Sequence, residues 1–221
     1  MSAKILITGM PNTGKTTLLK PLQNVLVMAR DGKPFSLELP HVNVAEFKNI
    51  DEFLNLLDEK LEAYKTKMGS YPDTIVFDSV SRIFTDIETS CSKRFNGYEV
   101  WANVNKEINK FLEAINMLQE NGFNIVLIAH AVWDENAKKY IETCKGSFAK
   151  IGGFLSTVDY ALNIDIVGNK RMITHRGTSL SRSLLDDIPD KESANEFNLQ
   201  TYIDKIKAKA DIVSEIPCFS A

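Results

Sequence analysis

Residues 9–17, GMPNTGKTT, decide the fold. Gly9, four intervening residues, Gly14, Lys15 and Thr16 complete a P-loop pattern. Before it runs AKILIT (3–8), short and apolar like a strand; after it, TLLKPL (17–22) reads as a helix start. Glycines at both ends let the backbone turn tightly and bring amide N–H groups against phosphate oxygens. The helix opening near Gly14 adds its positive dipole end. Lys15 supplies charge for β- and γ-phosphates, and the Thr16 hydroxyl is a ligand for Mg²⁺. The whole stretch, Gly9, Met10, Pro11, Asn12, Thr13, Gly14, Lys15, Thr16 and Thr17, is therefore the candidate phosphate cradle.

At 221 residues the chain suits one α/β domain over 1–221, with 186–221 as a C-terminal loop, helix and tail. Its 44% hydrophobic and 25% charged residues are ordinary globular values. A net charge of −3 does not mark the chain as a nucleic-acid binder. Any such contact must come from a local basic patch or from several subunits together. Cys91, Cys144 and Cys218 are far apart and show no metal spacing with His41, His130 or His175, which argues against zinc or a disulfide framework. The first strand, six residues long, is too short to span a membrane. A cytoplasmic protein without a leader is the expectation.

Short apolar runs alternate with longer amphipathic ones, as in a mainly parallel sheet covered by helices. Strands are expected at 4–8, 24–32, 41–47, 74–80 and 123–130. Pro21 should stop the helix after the P-loop. Helices are expected at 51–67, 81–96, 99–120, around 148–157 and near 198–212. Between them, 131–147 reads as a polar segment. YALNIDIV and RMITH around Gly168-Asn169 read as a hairpin closing the sheet edge.

A P-loop needs a carboxylate for Mg²⁺ at the end of a neighbouring strand, and TIVFD (74–78) ends in Asp78. The next residue is Ser79 rather than glutamate, so the base that activates water must lie elsewhere. Asp31 and Glu46 both follow strands, where α/β sites are built. Asp31 is favoured because strand two runs directly out of the P-loop helix, although Asp31-Gly32 is also an ordinary turn pair. His130, at the tip of FNIVLIAH (123–130), is a candidate sensor of the γ-phosphate.

GMPNTGKTT, a strand ending ARD, then TIVFDSV and VLIAH together resemble the RecA-like ATPases. The resemblance is strongest to the small phage-encoded members that lack accessory domains and act as single-strand annealing recombinases. It covers about residues 3–180. It implies ATP and Mg²⁺ as cofactors, with Lys15 and Thr16 on phosphate and metal and Asp78 on metal. It puts Asp31 at the catalytic acid and His130 at the sensor. It puts Lys93, Arg94, Lys138, Lys139, Lys145 and Lys150 in the DNA-contacting segments, and Arg176 near a neighbouring subunit's ATP. The implied partners are single-stranded DNA, further copies of the chain in a ring or filament, and a single-strand DNA-binding protein as a candidate. Strand one begins at once, so assembly is expected to use a surface other than an N-terminal extension, or not to occur. Each lysine has a plainer reading as a solvated loop charge. Tyr98 and Trp101 are better read as core-packing residues or loop anchors than as platforms for a base or adenine. Two other functions compete: a small-molecule P-loop kinase, against which the absence of arginine in 131–147 counts, and a nucleotide-dependent adaptor without turnover.

Overall fold

A computed structural model describes residues 2–214, with the side chains of 213 and 214 excluded. The expected tail beyond 214, with Cys218, lies outside the described residues. The strands are β1 (Lys4–Gly9), β2 (Val25–Ala29), β3 (His41–Asn43), β4 (Thr74–Asp78), β5 (Asn124–Asp134), β6 (Lys139–Glu142), β7 (Tyr160–Val167), β8 (Lys170–Thr174) and β9 (Lys191–Ser193). The helices are α1 (Ile50–Met68), α2 (Val80–Arg94), α3 (Tyr98–Glu120), α4 (Gly146–Lys150) and α5 (Leu199–Ser214). The main sheet has the order β3-β2-β4-β5-β1-β7-β8-β9, with β6 branching off β5. From β3 to β7 all pairings are parallel, and β8 and β9 are antiparallel. This is an α/β fold with a mostly parallel central sheet flanked by helices.

Alternation along each strand divides the core. Leu26, Met28, Ile75, Phe77, Ile125 and Leu127 face α1, α2 and α3. Val25, Val27, Val76, Val126 and Ile128 face the other way, against α5 and a 3-10 turn at Thr16–Leu19. On the first face Phe111 is fully buried and meets the rings of Phe53, Phe77 and Phe84 at centroid distances of 6.0, 5.5 and 5.9 Å. Caps close α1 as its sequence suggests: the Asn49 side chain accepts from the Glu52 amide, and Gly69 takes φ 85°.

The strand expected at 41–47 pairs only over His41–Asn43, the helix expected after the P-loop is a 3-10 turn, and three further segments differ from the sequence reading. The polar stretch after His130 is a hairpin, because β5 continues to Asp134 and pairs with β6 from Ala131↔Glu142 to Asp134↔Lys139. Trp133 and Tyr140 face each other there, a cross-strand aromatic pair of the kind that stabilises exposed ladders. The helix expected over 148–157 is two short turns, α4 and Phe154–Ser156, because Gly152 and Gly153 both take positive φ between them. Outside the 160–175 hairpin, β9 adds one more short strand.

The same alternation that fills the core steers the residues after β2. Arg30 follows Met28 onto the helical face, where Nε and Nη2 donate to Asp86 of α2 at 2.6 and 3.1 Å. Asp31 is left for the opposite face. Arg30 and Asp86 are both buried, so removing Asp86 leaves the Arg30 guanidinium buried without its carboxylate. Asp86→Ala should cost about 3–5 kcal/mol in urea unfolding. A cost below ~1 kcal/mol would show that the pair does not anchor β2.

Candidate nucleotide site

The C-terminal ends of β1, β2, β4 and β5 converge because they are parallel neighbours in register: Gly9 stands opposite His130, and Asp78 opposite Ile128. In such sheets ligands bind at this edge. A cavity of about 590 Å³ opens there, lined by Pro11, Asn12, Gly14, Lys15, Thr16, Thr17, Asp31, Asp78 and His130. It also takes in Ala29, Lys33, Pro34, Phe35, Ser36 and Arg171.

Its floor is the 9–17 loop. A methyl group at Gly9 would lie 2.5 Å from the Ile164 carbonyl oxygen of β7, so only glycine lets β1 turn at this point. Gly14 takes φ 100°. Thr13 is buried and its hydroxyl donates to the Met10 carbonyl at 2.9 Å, bracing the turn, while Met10 is partly exposed. Lys15 Nζ donates to the carbonyls of Gly9 and Met10, each at 2.9 Å. Burial pulls the Lys15 ammonium below its usual value, and the nearby carboxylates of Asp78 and Asp31 oppose that fall. A buried cation paired only with carbonyls and set before a cavity suits an anionic ligand.

Opposite Lys15, the Thr16 hydroxyl donates to Asp78 Oδ2 at 2.7 Å. Burial pushes the Asp78 carboxyl above its ordinary value; the Thr16 hydrogen bond pulls it down, Asp31 pushes it up, and Lys15 and His130 pull it down. At the rim, His130 Nε2 lies 3.4 Å from both Asp31 Oδ1 and Ser79 Oγ. Ser79 also caps α2, its hydroxyl accepting from the Arg82 amide.

The cavity thus brings together Lys15, Thr16, Asp31, Asp78 and His130. Glu46, the other base considered, is not there; it sits on the surface, 2.7 Å from Lys93. Arg176, expected at a neighbouring subunit's ATP, lies away from this chain's own cavity because β8 runs antiparallel; its guanidinium donates to the Leu185 and Asp186 carbonyls. Arg94 donates to the Ser90 carbonyl at 3.3 Å and lies over the Phe95 ring, and Lys145 pairs with Glu88 at 2.8 Å. Lys138 and Lys139 stand at the tip of the β5–β6 hairpin, and Lys150 at the exposed end of α4. The sequence reading missed Lys33, Phe35 and Arg171. The first two follow Asp31 directly and were accessible to it; Arg171 required knowing which strand pairs with β7.

The model of a family described as an AAA domain matches residues 1–182. The chain belongs to that AAA-domain family. No curated protein matches it. Among solved structures it is similar to a KaiC-like protein from the hyperthermophilic archaeon Pyrococcus horikoshii OT3, at 14% identity and a TM-score of 0.47, covering 83% of each chain. This AAA domain is accordingly a nucleotide-binding P-loop domain of ATPase type.

Family membership implies a divalent cation, and the donors fit one. Thr16 Oγ1 and Asp78 Oδ2 are hard oxygens already converged, and Asp78 is a buried carboxylate that a cation would relieve. Mg²⁺ keeps several waters and takes one or two carboxylates plus phosphate, so a two-residue site is sufficient. When bound, the ion would neutralise charge on the β- and γ-phosphates.

A proton on Asp78 competes with that ion, and burial keeps the proton to higher pH than on an exposed aspartate. Mg²⁺-dependent affinity for a fluorescent ATP analogue should therefore rise with pH through this raised value. Asp78→Asn should weaken the metal dependence and remove its pH dependence. A Mg²⁺ effect of unchanged size and pH dependence in the variant would exclude Asp78 as a ligand.

Proposed function

We propose that this protein is a Mg²⁺-dependent ATPase that binds single-stranded DNA and promotes strand annealing, with ATP acting as the switch for DNA binding. The observation that carries the reading is the continuous link between the nucleotide cavity and the β5–β6 hairpin. The Ser81 hydroxyl accepts from the His130 amide at 2.9 Å and donates to the Thr143 carbonyl at 3.2 Å. The Thr143 amide in turn donates to the His130 carbonyl at 2.8 Å. His130 therefore touches Asp31 with its ring and holds both strands of the hairpin with its backbone.

The hairpin has the composition of a single-strand platform. Val132, Trp133 and Tyr140 are exposed large hydrophobics, with the two rings 5.2 Å apart. Lys138 and Lys139 flank them. Aromatic faces stack on bases of any sequence while cations follow the backbone. The turn is ordered by Asp134, whose carboxylate accepts from the Asn136 and Ala137 amides at 2.8 and 3.0 Å.

In this mechanism Lys15 leaves the loop carbonyls for the β- and γ-phosphates, and Asp31 orients and deprotonates the attacking water. His130, in reach of Asp31, reports the presence of the γ-phosphate to the hairpin. Aspartate is one methylene shorter than glutamate, so turnover is slow. Assembly into a ring or filament multiplies the hairpin contacts along one strand, as a chain of net negative charge requires.

Fluorescence anisotropy with a labelled single-stranded oligonucleotide tests the proposal. Binding should tighten with ATP and Mg²⁺, and Trp133→Ala with Tyr140→Ala should weaken it about tenfold or more, at ~1–3 kcal/mol per stacked base. Lys15→Ala should abolish the ATP effect. Nucleotide binding with no response to DNA would replace this reading with the kinase or the adaptor.

A further inference from the structure

Of the six arginines in the chain, Arg171 differs from the rest in its surroundings. Arg30 and Arg82 pair with Asp86, Arg94 lies over Phe95, Arg176 holds two carbonyls, and Arg182 donates to the Leu155 carbonyl. Arg171 has no hydrogen-bond or ion-pair acceptor among the described residues. Its guanidinium lies against the phosphate loop: Nε and Cζ are 3.2 and 3.3 Å from the place where a Gly14 methyl group would stand.

That placement is built into the sheet. Arg171 is two residues before Ile173, which packs on the face carrying the 3-10 turn, so its side chain is directed to the loop side. Its backbone is fixed on both flanks, pairing with Ile166 of β7 and accepting at its carbonyl from the Ala194 amide at 2.9 Å. Arg171 also forms the ridge between the main cavity and an adjoining groove of about 420 Å³, whose walls include Thr17, Pro21, Asn195 and Phe197.

The position along the loop decides what Arg171 can touch. Thr16, Asp78 and Asp31 mark the metal and γ-phosphate end of the cavity. Gly14 and Thr17, where Arg171 lies, mark the other end, to which the α-phosphate and nucleoside must extend. We propose that Arg171 is a nucleotide-affinity residue acting in cis, clamping the α-phosphate and nucleoside end of the ligand across Gly14. This rests on the ATPase reading above. A guanidinium suits the task because it offers several donors to phosphate in one plane and a flat face for a base.

Such a contact is made equally in the ground state and the transition state, and equally with ATP and ADP. It should therefore govern KM and leave kcat alone. The test is titration of fluorescent ATP and ADP analogues, with steady-state turnover, for the wild type, Arg171→Met and Arg171→Lys. Arg171→Met keeps the aliphatic stem against the loop and leaves the core untouched. The expected result is a Kd raised about tenfold to a hundredfold for both nucleotides. Arg171→Lys should recover part of the loss, kcat should stay within about twofold, and inorganic triphosphate, which keeps the α-position phosphate but has no nucleoside, should compete more weakly against Arg171→Met than against the wild type. Unchanged Kd values, or a fall in kcat at constant Kd, would overturn the assignment. A wild type that binds neither nucleotide would instead overturn the ATPase reading, and the inference with it.

Discussion

The nucleotide end of the molecule depends on one packing constraint: β5 lies between β1 and β4, parallel to both. A parallel neighbour cannot shift by one residue without turning its apolar side chains to the wrong face. Leu127 is therefore held towards α3, and Val126 and Ile128 towards α5. With that register fixed, His130 must emerge beside Gly9, and Asp78 must stand within reach of Thr16. No local interaction in the loop could produce this arrangement alone. The strand after TIVFD therefore separates it from the P-loop strand.

Around this frame the protein keeps several charges out of water. Arg30 and Asp86 neutralise each other beneath β2. Lys15 and Asp78 are buried on the ligand side, where each stands at a shifted pKa and is held by one or two hydrogen bonds. The base of the hairpin carries another such group: burial pushes the Glu142 carboxyl up to about 7, with the Leu155 amide and the Cys144 thiol as its partners. The first pair contributes to the fold, whereas Lys15 and Asp78 are costly unless a ligand compensates them. That asymmetry is the electrostatic signature of a binding site. The same burial pushes the Cys144 thiol up to about 12, which leaves no thiolate there for nucleophilic chemistry at neutral pH.

Much of the site was readable from the chain because its parts sit at strand ends. GMPNTGKTT, TIVFD and VLIAH each couple a buried run to a polar residue, and the pattern survives without knowledge of neighbours. The hairpin was not readable as one, since its apolar residues come as the adjacent pairs Val132-Trp133 and Tyr140-Ile141, without alternation, and are separated by a polar turn carrying Lys138 and Lys139. Arg171 and the Arg30–Asp86 pair were missed for a different reason. Their roles arise from pairings across 157 and 56 residues of sequence, Gly14 to Arg171 and Arg30 to Asp86, which no local pattern records.

In the proposed function, nucleotide occupancy reaches the hairpin through His130, Ser81 and Thr143. Amide hydrogen exchange over residues 131–143 tests it most directly, read with no nucleotide, with ADP and with a non-hydrolysable ATP analogue, each in Mg²⁺. The account predicts that the ATP analogue slows exchange in the hairpin, that ADP does so less, and that His130→Ala removes the difference while leaving protection of the P-loop intact. Equal hairpin exchange in all three states, with the P-loop protected by both nucleotides, would contradict it.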